Sequence, residues 1–81
     1  MSHNYPQQLK AEMSRIFALA IQKVKDGDPF VQRGNVRGLV NLKIQDTLRD
    51  HNIPFFTEAH NASPQAQYWN DQFLSQLNKE V

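Results

Sequence analysis

At 81 residues the chain can close one hydrophobic core and not two, so a single domain is expected. It has no cysteine, which excludes disulfides, thiolate-held metals and a cysteine nucleophile. A net charge of +1 gives no general pull toward nucleic acid or an anionic membrane, and no stretch approaches the ~18 apolar residues of a membrane span. A cytoplasmic protein with no membrane partner is the expectation. A domain this small is also expected to gain stability from a second copy of itself, so a homodimer is anticipated. The charge is uneven: residues 1–49 hold eight Lys/Arg and four acids, whereas residues 50–81 hold one Lys and four acids.

In chain order, residues 1–5 are polar and predict a disordered tail, and residues 6–81 form one helical domain. The first helix is expected from Pro6, whose fixed φ suits a first turn, to about Lys25. Leu9, Met13, Ile16, Phe17, Ala20 and Val24 recur at helical spacing as one apolar stripe, with Glu12, Arg15, Gln22 and Lys23 away from it. Asp26-Gly27-Asp28-Pro29 stops the helix: Gly27 can take a left-handed cap, and Pro29 cannot continue it. Phe30 and Val31 then read as a loop plugging one end of the core, and Asn35 as an N-cap.

Two periodicities compete in the next stretch. Val36, Val40, Ile44 and Leu48 make an i, i+4 ridge with Leu39 beside it, whereas Val36, Gly38, Val40, Leu42 and Ile44 alternate as in a strand. One helix from Val36 to His51 is expected, and an α+β arrangement with a short strand at 36–42 is the alternative. Asn52 suits a left-handed C-cap, and Pro54 disfavours helix at Ile53, so residues 53–57 read as extended. Residues 60–62 form a turn, Ser63 is the N-cap and Pro64 the first residue of a third helix. Ala66, Trp69, Phe73 and Leu77 make its buried stripe, and Tyr68 falls on the opposite face. Asn61-Ala62-Ser63 matches a glycosylation sequon, a coincidence of this helix start. The fold class is mainly α, a small three-helix domain with a short extended segment near residues 53–57.

No pattern of catalysis emerges. His3, His51 and His60 make no i, i+4 pair, and Glu58 with His60 gives only two candidate ligands. Asp46 and Asp50 share a helix face without a third partner, and Ser14, Ser63 and Ser75 lack a glycine elbow and a base. Neither an enzyme nor a cofactor is expected. Arg33, Arg37, Lys43 and Arg49 cluster around the second helix, and Gly34-Asn35 before it resembles the turn of a helix-turn-helix DNA-binding regulator. Against that reading stand Asp46 and Asp50 on the same helix and the long connection from Gly27 to Gly34. Surplus apolar side chains favour another partner. Phe30, Val31, Leu42, Phe55, Phe56 and Tyr68 exceed the needs of so small a core, which points to a protein-interaction module: an adaptor, inhibitor or regulatory subunit. Its candidate partner-binding residues are Phe30, Arg33, Arg37, Phe55, Phe56 and Tyr68.

Overall fold

The computed structural model describes residues 5–57, 59 and 61–81, and its elements are three helices: α1 (Gln7–Lys25), α2 (Val36–Asp50) and α3 (Pro64–Glu80). Contacts between their ends show that neighbours in sequence run antiparallel. Lys25 Nζ donates to Glu80 Oε1 at 3.2 Å, joining the last turns of α1 and α3. At the other end Tyr5, just before α1, stacks on Tyr68 in the first turns of α3, with ring centroids 5.6 Å apart. His51 Nε2, closing α2, lies 3.2 Å from Glu12 Oε2 on α1.

Helix ends follow local chemistry. After α1, Gly27 takes φ +75°, its N–H donates to the Val24 carbonyl and the Asp28 N–H reaches back to Lys23. This pair of bonds is a Schellman closure, which satisfies carbonyls the helix leaves open. Asn52 repeats it after α2 with φ 58°: its N–H donates to Arg49 and that of Ile53 to Leu48, while the half-buried Ile53 packs against the core. At the start of α3 the Ser63 hydroxyl accepts from the Ala66 N–H at 3.1 Å and donates to the Pro54 carbonyl at 2.7 Å. The Ser63 N–H also donates to Phe55, and an antiparallel bridge pairs Phe56 with Ala62. The extended segment is thereby tied to the cap of α3. Because its serine is buried in these bonds, the Asn61-Ala62-Ser63 sequon serves the helix start.

Asn35 departs from expectation. It sits at the N-cap of α2, but its side chain makes no cap bond to the helix. Instead Oδ1 accepts from the Gln32 N–H at 2.8 Å and Nδ2 donates to the Phe30 carbonyl at 3.1 Å. The loop competes successfully for the amide because both of its partners are within five residues. Asp28 Oδ1 braces the same loop by accepting from the Phe30 and Val31 N–H groups. So held, Val31 packs against the core, but Phe30 stays 80% exposed and plugs nothing.

Each helix contributes four buried side chains to the core: Leu9, Met13, Phe17 and Ile21; Val36, Val40, Ile44 and Leu48; Ala66, Trp69, Phe73 and Leu77. Two of these rows are the ones expected. In α1 the stripe is turned: Ile21 is buried, while Ile16, Ala20 and Val24 are only half-buried on its flank. The run Ile16–Ile21 is apolar all round, so its pattern leaves the phase open and contact with α2 and α3 decides it. Aromatic rings hold α1 to α3, with Phe17 lying 5.3 Å from Phe73 and 6.3 Å from Trp69 between centroids. The strand at 36–42 is not formed. A strand needs a ladder partner, whereas the helix buries the whole Val36-Val40-Ile44-Leu48 ridge at once.

Gly38 lies inside α2 on its exposed face, and a Cβ built there meets open space. Gly38→Ala should therefore stabilise the fold by about 0.5–1 kcal/mol, through a less flexible unfolded chain. Urea unfolding checks this: the midpoint should rise with the slope unchanged, and a lower midpoint would show that the position needs glycine.

Candidate functional site

The six partner-binding candidates do not form one surface. Phe30, Arg33 and Arg37 lie where α1 and α3 end and α2 begins; Phe55, Phe56 and Tyr68 lie at the opposite end. The 15 residues of α2 separate the two groups by about 22 Å. Arg33 donates to Asn78 Oδ1 on α3 at 3.2 Å, bracing the loop, whereas Arg37 is exposed on the first turn of α2. Phe55 is half-buried and Phe56 48% exposed, their rings tilted together with centroids 5.0 Å apart.

Tyr68 does not stand on the face opposite the core. Half-buried, it lies edge-on to Trp69 and under Tyr5. Tyr5 also packs on Trp69, with centroids 5.1 Å apart, so the last residue of the anticipated tail belongs to the packed domain; residues 1–4 lie outside the described residues. Burial, together with neighbouring Tyr68, pushes the Tyr5 phenol above its ordinary pKa.

A wide concave surface lies elsewhere, between α1 and α2 on the side that α3 leaves uncovered. This groove, of about 600 Å³, is lined by Ile16, Leu19, Ala20 and Lys23 of α1, by Val31 of the loop, and by Val36, Leu39, Val40, Leu42, Lys43 and Asp46 of α2. Val36 and Val40 are buried and Ile16, Ala20 and Val31 half-buried, which makes an apolar floor. Leu19 and Leu42, each 58% exposed, and Leu39, 42% exposed, form the rim. Three leucines around one apolar floor form a contiguous patch, unlike the singly scattered apolar residues usual on a surface.

Helical spacing assigns Ile16 and Ala20 to the core and leaves Leu42 surplus, and it does not single out Leu19. The missed signal was the width of the apolar arc. In Ile16-Phe17-Ala18-Leu19-Ala20-Ile21 two faces of α1 are apolar, one more than a core stripe needs.

Other chemistry is sparse. A smaller cleft of about 290 Å³ between α1 and α3 is lined mostly by Ser14, Gln72, Ser75, Gln76 and Lys79 beside Phe17 and Trp69. Asp46 accepts from Arg49 at 2.6 Å, so it stands in an ion pair and not as half of a carboxylate pair with Asp50. Glu80 accepts hydrogen bonds from Gln76 and Lys25, which hold its carboxyl below the ordinary range. Among the described residues no three His, Asp or Glu side chains gather as metal ligands; His3, Glu58 and His60, the last being the first residue of the expected turn at 60–62, lie outside the described residues. No helix of the described residues is long and apolar enough to cross a membrane.

No family model, curated protein or solved structure matches the chain. Its own geometry is the ground for any reading of function.

Proposed function

We propose that this protein is a small interaction module, an adaptor, inhibitor or regulatory subunit, that binds another protein through the α1/α2 groove. The observation that carries the reading is the ring of exposed Leu19, Leu39 and Leu42 around a preformed apolar floor. Keeping that patch wet is unfavourable by roughly 25 cal/mol per Å² of apolar surface, which a partner recovers on docking. Among the described residues no catalytic constellation competes with this use. The homodimer anticipated from chain length is a separate proposal that the same surface can serve.

The helix-turn-helix-like alternative has less support. Of the four basic residues invoked for it, Arg33 is bonded to Asn78 and Arg49 to Asp46, while the exposed side of α2 presents Leu39 and Leu42. Phosphate contacts need an unengaged positive surface.

Affinity capture from native lysate tests the reading, with nuclease added and with two variants in parallel. Wild type should retain a protein after nuclease treatment. Leu19→Glu with Leu42→Glu should lose it at an unchanged thermal midpoint, because both side chains are exposed. Phe55→Ala with Phe56→Ala should keep it. Recovery that disappears with nuclease, or capture indifferent to the groove leucines, would overturn the proposal. Sedimentation of the same proteins at high micromolar concentration decides the dimer: a wild-type monomer removes it.

A further inference from the structure

Resting on the interaction-module reading, we infer that the groove receives an amphipathic helix of another protein whose flanks carry carboxylates. The shape sets the first part. The groove lies between two antiparallel helices, so a third helix can seat its side-chain ridge there as helices do within the domain. From Val36 to Asp46 the α2 wall is about 15 Å long, or close to three helical turns. An occupant of that length presents apolar anchors at i, i+3 or i+4, and i+7 to Leu19, Leu39, Leu42 and the valines beneath.

Charge sets the second part. Lys23 stands on the α1 wall and Lys43 on the α2 wall, so ammonium groups border the groove from both sides. Lys23 lies 3.9 Å from Asp28, at the outer limit of an ion pair, and Lys43 has no ion pair among the described residues. The rim's one acid, Asp46, is already held by Arg49 at 2.6 Å. A partner helix with Glu or Asp beside its anchors meets these lysines, whereas one flanked by Lys or Arg meets like charge. A second copy fits less well. In a two-fold contact the same patch meets itself, so the Lys23 and Lys43 rims would approach each other with only the engaged Asp46 to offset them.

A display library of 15-residue helical peptides, with leucine fixed at i, i+3 and i+7 and the flanking positions randomised, tests this on the full chain. Wild type should enrich peptides rich in Glu and Asp at the flanks. Lys23→Glu with Lys43→Glu should enrich Lys and Arg instead, and each protein should bind its own class at least roughly tenfold tighter than the other class at low salt, with the preference shrinking as salt rises. Enrichment without charge bias, or the same bias for both proteins, would overturn the acidic-helix assignment while leaving an interaction groove standing. Failure to enrich alongside a wild-type dimer that Leu42→Glu dissociates would assign the groove to a second copy. Failure to enrich by a monomer whose lysate capture ignores the groove leucines would overturn both readings.

Discussion

Phe73→Ala is expected to remove a large share of the stability of this protein. Phe73 is fully buried in α3 and its ring meets Phe17 of α1 at 5.3 Å, in one of the aromatic contacts that join the two helices not adjacent in sequence. Removing a buried phenylalanine ring deletes its transfer free energy and leaves a cavity that close-packed neighbours fill only in part, at a cost of about 3–5 kcal/mol. A domain of 81 residues has in total on the order of 4–12 kcal/mol. Trp69, the single tryptophan, is buried and packs on the same Phe17 ring, so it reports the transition by its fluorescence. The urea midpoint should fall steeply, and Phe73→Leu, which keeps most of the volume, should lose much less. A Phe73→Ala midpoint within about 1 kcal/mol of wild type would mean that α1 and α3 are not joined by this contact.

Ser63→Ala should cost about 2 kcal/mol, a large effect for one oxygen atom. That atom accepts the Ala66 N–H, one of the amides a helix start leaves unpaired, and donates to the Pro54 carbonyl nine residues away. Loss of a serine N-cap costs about 1 kcal/mol, and loss of a second, partly buried hydrogen bond a similar amount. The two losses add because the hydroxyl couples separate events: starting α3, and fixing the extended segment from Ile53 against it. Ser75→Ala on the exposed face of α3 is the control and should stay within about 0.5 kcal/mol. If Ser63→Ala and Ser75→Ala unfold at the same urea concentration, the cap contributes nothing measurable.

Much of the candidate site was hidden for a reason that Leu42 and Leu19 illustrate. Leu42 was recognisable as surplus because the i, i+4 ridge from Val36 already supplied four buried residues to the core. Leu19 was not, because it lies within a run apolar on every side of α1. Neither residue is a site alone. The groove exists only because α1 and α2 pack with their Ile16-Ala20 and Leu39-Lys43 flanks on the side away from α3, and sequence spacing does not say on which side a third helix will lie. Phe30 and Phe56 were recognisable as exposed aromatics, but the sequence could not reveal that they lie at opposite ends of the bundle.

What the sequence by itself determined is the set of elements and where they stop. Gly27, Asn52 and the Ser63 bond to the Ala66 N–H act on backbone groups within about five residues, so these helix ends do not depend on how the helices pack, whereas the Ser63 bond to Pro54 does reach farther. The α2 and α3 ridges were equally local in origin, since one apolar row stands out on each. Only the tertiary structure decided the phase of α1, the half-burial of Tyr68 beneath Tyr5, and the apolar floor left open between α1 and α2. These depend on contacts between residues far apart in the chain, where several arrangements satisfy the same local pattern and the burial of the whole core selects one.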